Sequence, residues 1–123
     1  MPPVVRIFHN PSCSKSRAAL DLLQGRGFAV DVVNYLTSPP TALELAALLT
    51  KLALPPTALV RFQDSLAASL GIAATDHRHD DEWLDLLAAH PSLLERPIVE
   101  ANGRAVIGRP IDNVEALIAS AVR

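Results

Sequence analysis

His9-Asn10-Pro11-Ser12-Cys13-Ser14-Lys15-Ser16-Arg17 divides two stretches of different periodicity. Before it, Val4-Val5-Arg6-Ile7-Phe8 is rich in β-branched and aromatic residues and reads as a buried strand. After it, Ser16 to Gln24 carries Ala19, Leu20 and Leu23 at the spacing of one helix face. Pro11 stands in the connecting turn, where the hydroxyls of Ser12, Ser14 and Ser16 can bond to backbone N–H groups. Cys13 therefore falls in, or just before, the first turn of a helix that follows a strand. Unpaired N–H groups and the positive end of the helix dipole favour an anion at that point.

A thiolate is such an anion. Cysteines placed this way beside cationic groups have pKa values lowered to about 3.5–7.5 from about 8.5. His9, Lys15 and Arg17 supply nearby cationic or hydrogen-bonding groups. A lone cysteine also reads as a small core hydrophobe, since free cysteine is among the most buried residue types. The polar, proline-containing surroundings of Cys13 favour the reactive thiolate.

The chain has 123 residues, which suits one domain with a real core. Half of the residues are hydrophobic but only five are aromatic, so Leu, Val, Ile and Ala must fill the interior. A formal charge of −2 argues against nucleic acid as a general partner. One cysteine excludes an internal disulfide, and no Cys/His cluster suggests structural zinc. No secretory pattern and no apolar run of membrane-spanning length is present, so a cytoplasmic setting with no membrane partner is expected.

Further along, Gly25 and Gly27 break the first helix, and Ala29 to Tyr35 reads as a second strand, parallel to the first. Thr41 and Glu44 form a capping box for a helix reaching about Leu52. From Thr57 to Leu94 only helical segments are expected: short turns at 58–61 and 65–70, and a helix with Trp83, Leu84 and Leu87 capped at Asp80 or a neighbour. His77-Arg78-His79 with Asp76, Asp80 and Asp81 reads as a solvated helix start rather than a metal site.

Pro97 to Ile107 is two short apolar runs around Asn102-Gly103, the signal of an antiparallel hairpin with a type I′ turn. Asp112 to Val122 then has helical spacing. The sum is an α/β fold with a mixed four-stranded sheet, βαβ…ββα, and a helical insertion at about 41–94. Arg96 precedes the first hairpin strand and Arg109 follows the second, so the two share one end of the sheet. A thiolate and guanidiniums converging there would suit a tetrahedral oxyanion, which guanidinium binds with paired, directional hydrogen bonds. Periodicity does not place Arg61.

Taken together, these residues resemble the arsenate reductase family of the thioredoxin/glutaredoxin-like fold, the glutathione- and glutaredoxin-coupled type. The resemblance lies in His9-Asn10-Pro11-x-Cys13-x-x-Ser16-Arg17, Tyr35-Leu36-x-x-Pro39-Pro40-Thr41, Ala58-Leu59-Val60-Arg61, His90-Pro91, Arg96-Pro97-Ile98-Val99 and Gly108-Arg109-Pro110. It implies a single domain over residues 1–123, with Cys13 as nucleophile and His9 helping to lower its pKa. It assigns arsenate or a similar oxyanion to Arg61, Arg96 and Arg109, and implies a cis peptide bond before Pro97. No resident cofactor is implied; glutathione is the co-substrate and glutaredoxin the protein partner.

Ser16 occupies the second-cysteine position of a Cys-x-x-Cys motif, so an external thiol must complete any redox cycle. Its hydroxyl can bond the Cys13 sulfur or the substrate, or serve only the helix start. Ser14-Lys15 stands where the family typically has Gly after the cysteine, and Phe62-Gln63 where a polar pair is usual. Two alternatives share the fold: a glutathione-linked thiol oxidoreductase acting on another substrate, and an Spx-like regulator that binds RNA polymerase. The regulators usually carry Cys-x-x-Cys, which this chain lacks.

Overall fold

The pleat of residues 4–9 puts Val5 and Ile7 on one face of a strand, and both are fully buried. This strand, β1 (Val4–His9), is the inner strand around which the sheet is laid. The computed structural model describes residues 4–121, so Val122, the last residue of the expected tail helix, lies outside the described residues. The chain forms two compact units, one of residues up to Ser38 together with those from Arg96, the other Pro39–Glu95.

In the first unit, helix α1 (Ser14–Gly25) links β1 to the parallel strand β2 (Ala29–Asn34). Strands β3 (Ile98–Ala101) and β4 (Arg104–Ile107) form the expected hairpin, with Asn102 and Gly103 both at positive φ as a type I′ turn requires. β3 runs antiparallel to β1, giving the order β2-β1-β3-β4. Helix α5 (Asp112–Ala121) follows. Ala19 and Leu23 of α1, with Val114, Leu117 and Ile118 of α5, pack on Val5, Ile7, Val99 and Ala101. Both helices thus cover one face of the sheet. Burial of each such aliphatic side chain contributes about 1.5–3 kcal/mol.

α1 begins two residues before the expected Ser16; Ser14 and Lys15 are exposed, so apolar periodicity does not reveal them. Arg96-Pro97 is cis, as the resemblance implies, and so is Arg109-Pro110, which it did not. Gly108 is packed tightly between these segments. A Cβ there would lie 2.8 Å from Pro97 Cγ and 3.0 Å from Val114 Cγ2.

The second unit is helical. Thr41 and Glu44 close the capping box of α2 (Ala42–Leu52) with two reciprocal 3.1 Å bonds. A 3₁₀ turn at Pro56–Leu59 comes next, then α3 (Ser65–Leu70), capped by Asp64 Oδ1 on Leu66 N at 2.8 Å. His79, a neighbour of Asp80, is the N-cap of α4 (Asp80–Ala89), and its N–H donates to Glu82 Oε1. Trp83 is buried, edge-on to Phe62, with the Arg78 guanidinium 5.5 Å from its ring centre. The region forms no strand, only an isolated bridge between Val60 and Leu94.

Candidate active site

Cys13 is the N-cap of α1, with extended backbone; its carbonyl accepts Arg17 N–H and its N–H donates to Asn10 O, both at 3.0 Å. The Asn10 side chain accepts Ser12 N–H at 2.9 Å, which turns the chain sharply ahead of the cysteine. The sulfur therefore meets the open end of the helix. It forms no cap hydrogen bond of ordinary geometry, but the N–H groups of Lys15 and Ser16 face it and favour its anionic form.

Two arginines complete its surroundings. Arg109 Nη2 donates to Cys13 Sγ at 3.3 Å, and Arg109 Nε donates to the Arg96 carbonyl at 2.7 Å. The pairing of Ile98 with Ile107 explains the meeting: Arg96 and Arg109 flank the open end of the same hairpin. Burial raises the Cys13 pKa, since residue 13 is only 8 % exposed. A hydrogen bond from Arg96, the N–H groups of Ser16 and Lys15, and the Arg96 charge outweigh that, and bring the thiol down to about 7. Arg96 Nε is buried and makes no hydrogen bond.

His9 and Ser16 form a buried pair behind the cysteine. Ser16, fully buried, accepts Asn10 N–H at 3.0 Å and lies 2.6 Å from His9 Nδ1. With one Oγ lone pair taken by Asn10, the hydroxyl keeps a second lone pair and its own proton, so it pairs with Nδ1 as acceptor or donor according to the ring tautomer. Burial lowers the His9 pKa, and the Arg17 charge lowers it further. The neutral imidazole is thus favoured over the cation, and the effect of His9 on Cys13 passes through Ser16, whose N–H faces the sulfur. Arg17 itself binds the Pro11 carbonyl at 2.9 Å and fixes the loop.

Cys13, His9, Ser16, Arg96 and Arg109 are therefore brought together within the first unit. Arg61 lies in the second. Its Nη1 pairs with Asp64 Oδ2 at 2.7 Å, its Nε stands 3.8 Å from Glu95 Oε1, and its backbone N–H donates to Leu93 O. No group of three or more His, Cys, Asp or Glu among the described residues could hold a metal ion. Asn113 was not singled out in the sequence, though its amide braces the Arg109 loop, with Nδ2 donating to Ile107 O at 2.9 Å. No local signal marks it, because both partners are backbone carbonyls.

Residues 8–117 match the ArsC family. The chain belongs to the ArsC family. An arsenate reductase from Neisseria meningitidis is 49 % identical over 117 residues, covering 94 % of this chain and 99 % of that protein. An arsenate reductase from Escherichia coli is 36 % identical over 95 residues, 77 % of this chain and 67 % of that protein. The solved structure of an arsenate reductase from Vibrio cholerae superposes with a TM-score of 0.90 at 39 % identity, covering 95 % of this chain and 99 % of that one. The four-stranded mixed sheet is the thioredoxin-like fold of these ArsC family structures. Among the described residues no helix is long and apolar enough to cross a membrane.

Proposed function

We propose that this ArsC family chain is an arsenate reductase in which Cys13 is the nucleophile and glutathione with glutaredoxin is the reductant. The observation that carries the reading is the convergence of Arg109 Nη2, 3.3 Å away, and the Arg96 guanidinium on one thiol lowered to about 7. An anionic nucleophile meets an anionic substrate only where fixed positive charge offsets their repulsion, and planar guanidiniums match a tetrahedral oxyanion. Arg96 Nε, a buried donor with no acceptor among the described residues, is available to one oxygen of that ion. The arsenate reductase names of the relatives point the same way.

The Cys13 thiolate attacks pentavalent arsenic and displaces one oxygen, which leaves as water after protonation. Arg96 and Arg109 hold the remaining oxygens, and Ser16 with His9 holds the loop. Glutathione then attacks the adduct through its thiol. Two electrons pass from the two sulfurs to arsenic, which departs as arsenite, and the sulfurs join as a Cys13–glutathione disulfide. A glutaredoxin thiolate takes the glutathione and returns Cys13 to its starting state. With one cysteine in the chain, this step needs the external thiol. Arg61 is the third arginine that the family resemblance assigns to the oxyanion.

The test is NADPH oxidation coupled through glutathione reductase, glutaredoxin and glutathione. Arsenate should drive turnover, and Cys13→Ser should remove it. Absence of turnover with every thiol donor would overturn the assignment, and turnover with a dithiol protein alone would overturn the reductant.

A further inference from the structure

Arg109 owes its aim to its surroundings. It sits in the connection between β4 and α5, outside both elements. Its Nε and Nη2 are spent on the Arg96 carbonyl and on Cys13 Sγ. The backbone beneath it is held from the first turn of α5. There Asn113 Nδ2 donates to Ile107 O at 2.9 Å and, at 3.4 Å, to Arg109 O, while Asn113 N–H donates to Pro110 O at 3.0 Å. Both side-chain acceptors are carbonyl oxygens, so it is the nitrogen end of the amide that faces them.

We infer that Asn113 is a positioning residue for the oxyanion reaction, acting through Arg109: one amide bridges the carbonyls on either side of Gly108 and so sets the direction in which the Arg109 guanidinium leaves the backbone. The inference rests on the proposed reading that Arg109 takes the oxyanion. Small displacements of a positioned group carry large rate effects, because the reacting atoms must stay within a narrow range of distance and angle. Asn113 is exposed and its hydrogen bonds go to backbone carbonyls, and a residue so placed acts by what it holds.

Asn113→Asp separates aim from stability. The carboxylate is isosteric and lacks the donor. Against two carbonyls it is repelled, while in the first turn of a helix a negative charge is favourable, so the fold keeps its stability. The readout is the arsenate concentration that halves the rate of Cys13 alkylation, measured with the purified full chain, beside the melting temperature. Asn113→Asp should raise that concentration about threefold to tenfold, the size of one lost hydrogen bond, with the melting temperature held. Arg109→Ala should raise it further, and adding Asn113→Asp to Arg109→Ala should change nothing more.

Equal protection in wild type and Asn113→Asp, with Arg109→Ala weakened, would overturn the positioning role alone. An effect of Asn113→Asp that persists in the Arg109→Ala background, or that tracks a lowered melting temperature, would assign Asn113 to stability and overturn it too. If Arg109→Ala itself leaves protection unchanged, the reading of Arg109 as an oxyanion ligand falls, and the inference with it.

Discussion

The Arg96 carbonyl accepts the Nε–H of Arg109 at 2.7 Å, so one arginine's backbone orients the other's side chain. The Cys13 sulfur accepts from Arg109 and is favoured as an anion by Arg96, so one thiolate offsets the charge of both. That shared geometry makes the electrostatics of Cys13 sensitive to single changes.

The rate of Cys13 alkylation by iodoacetamide should rise with pH to a half-maximal value near 7, the pKa of its thiol. Arg96→Ala should move the midpoint upward toward the free-thiol value, since it removes both a hydrogen bond and a charge. The native thiol is the more acidic one, so its contribution to stability is present above the unfolded pKa and is lost as pH falls through about 7. A wild-type midpoint at the free-thiol value would refute the picture.

Ser16→Ala should be costly for so small a change. It leaves Asn10 N–H and His9 Nδ1 without their partner in a buried place. The expected loss is about 1–3 kcal/mol, readable by urea titration. His9 should remain neutral at pH values where a free histidine charges, as read by nitrogen NMR of its ring. Because its folded pKa is depressed, the associated stability is present above 6.5 and is lost as pH falls through the folded value. A charged His9 at neutral pH would contradict the lowering by burial and by Arg17.

Gly108→Ala tests packing behind the arginines. The new methyl would meet the Pro97 ring at 2.8 Å, and a proline ring has no flexible end to yield. Overpacking of this kind costs about 1–3 kcal/mol. The shift of Pro97 should carry Arg96 with it, so the Cys13 alkylation midpoint should rise along with the loss of stability. A variant as stable and as reactive as wild type would show that the segment gives way freely.

Asp64 has two tasks that two substitutions separate. Its Oδ1 caps α3 and its Oδ2 binds Arg61 at 2.7 Å. Asp64→Asn keeps a good cap and weakens the ion pair, whereas Asp64→Ala loses both, with about 1 kcal/mol expected from the cap. Thermal melts of the two variants should rank Asn above Ala; equal melting temperatures would mean that the cap contributes nothing.

Much of this was legible in the chain itself. Asn102-Gly103 announces its turn because few other pairs tolerate positive φ at both positions. Thr41 and Glu44 announce theirs because the two partners lie three residues apart. Arg96 and Arg109 could be brought together from strand pairing alone, as the 2.7 Å contact bears out. What stayed hidden depends on contacts across the fold. His9 reads in the sequence as a cationic or hydrogen-bonding group, and only burial and the Arg17 charge tip it further toward the neutral form. Asn113 works on carbonyls, which every residue has, so its identity carries no message. Arg61 shows its Asp64 partner at three residues' distance but not Glu95, which arrives with the far end of the same unit.

A hydroxyl at residue 16, already committed to His9 and Asn10, leaves the lone thiol with nothing nearby to oxidise against. A stock of this protein kept in air should therefore age first at the Cys13 sulfur. The mass gained will be that of added oxygen or of a captured small thiol, or else two chains will be joined through position 13, and a reductant in the storage buffer will decide how long it stays usable.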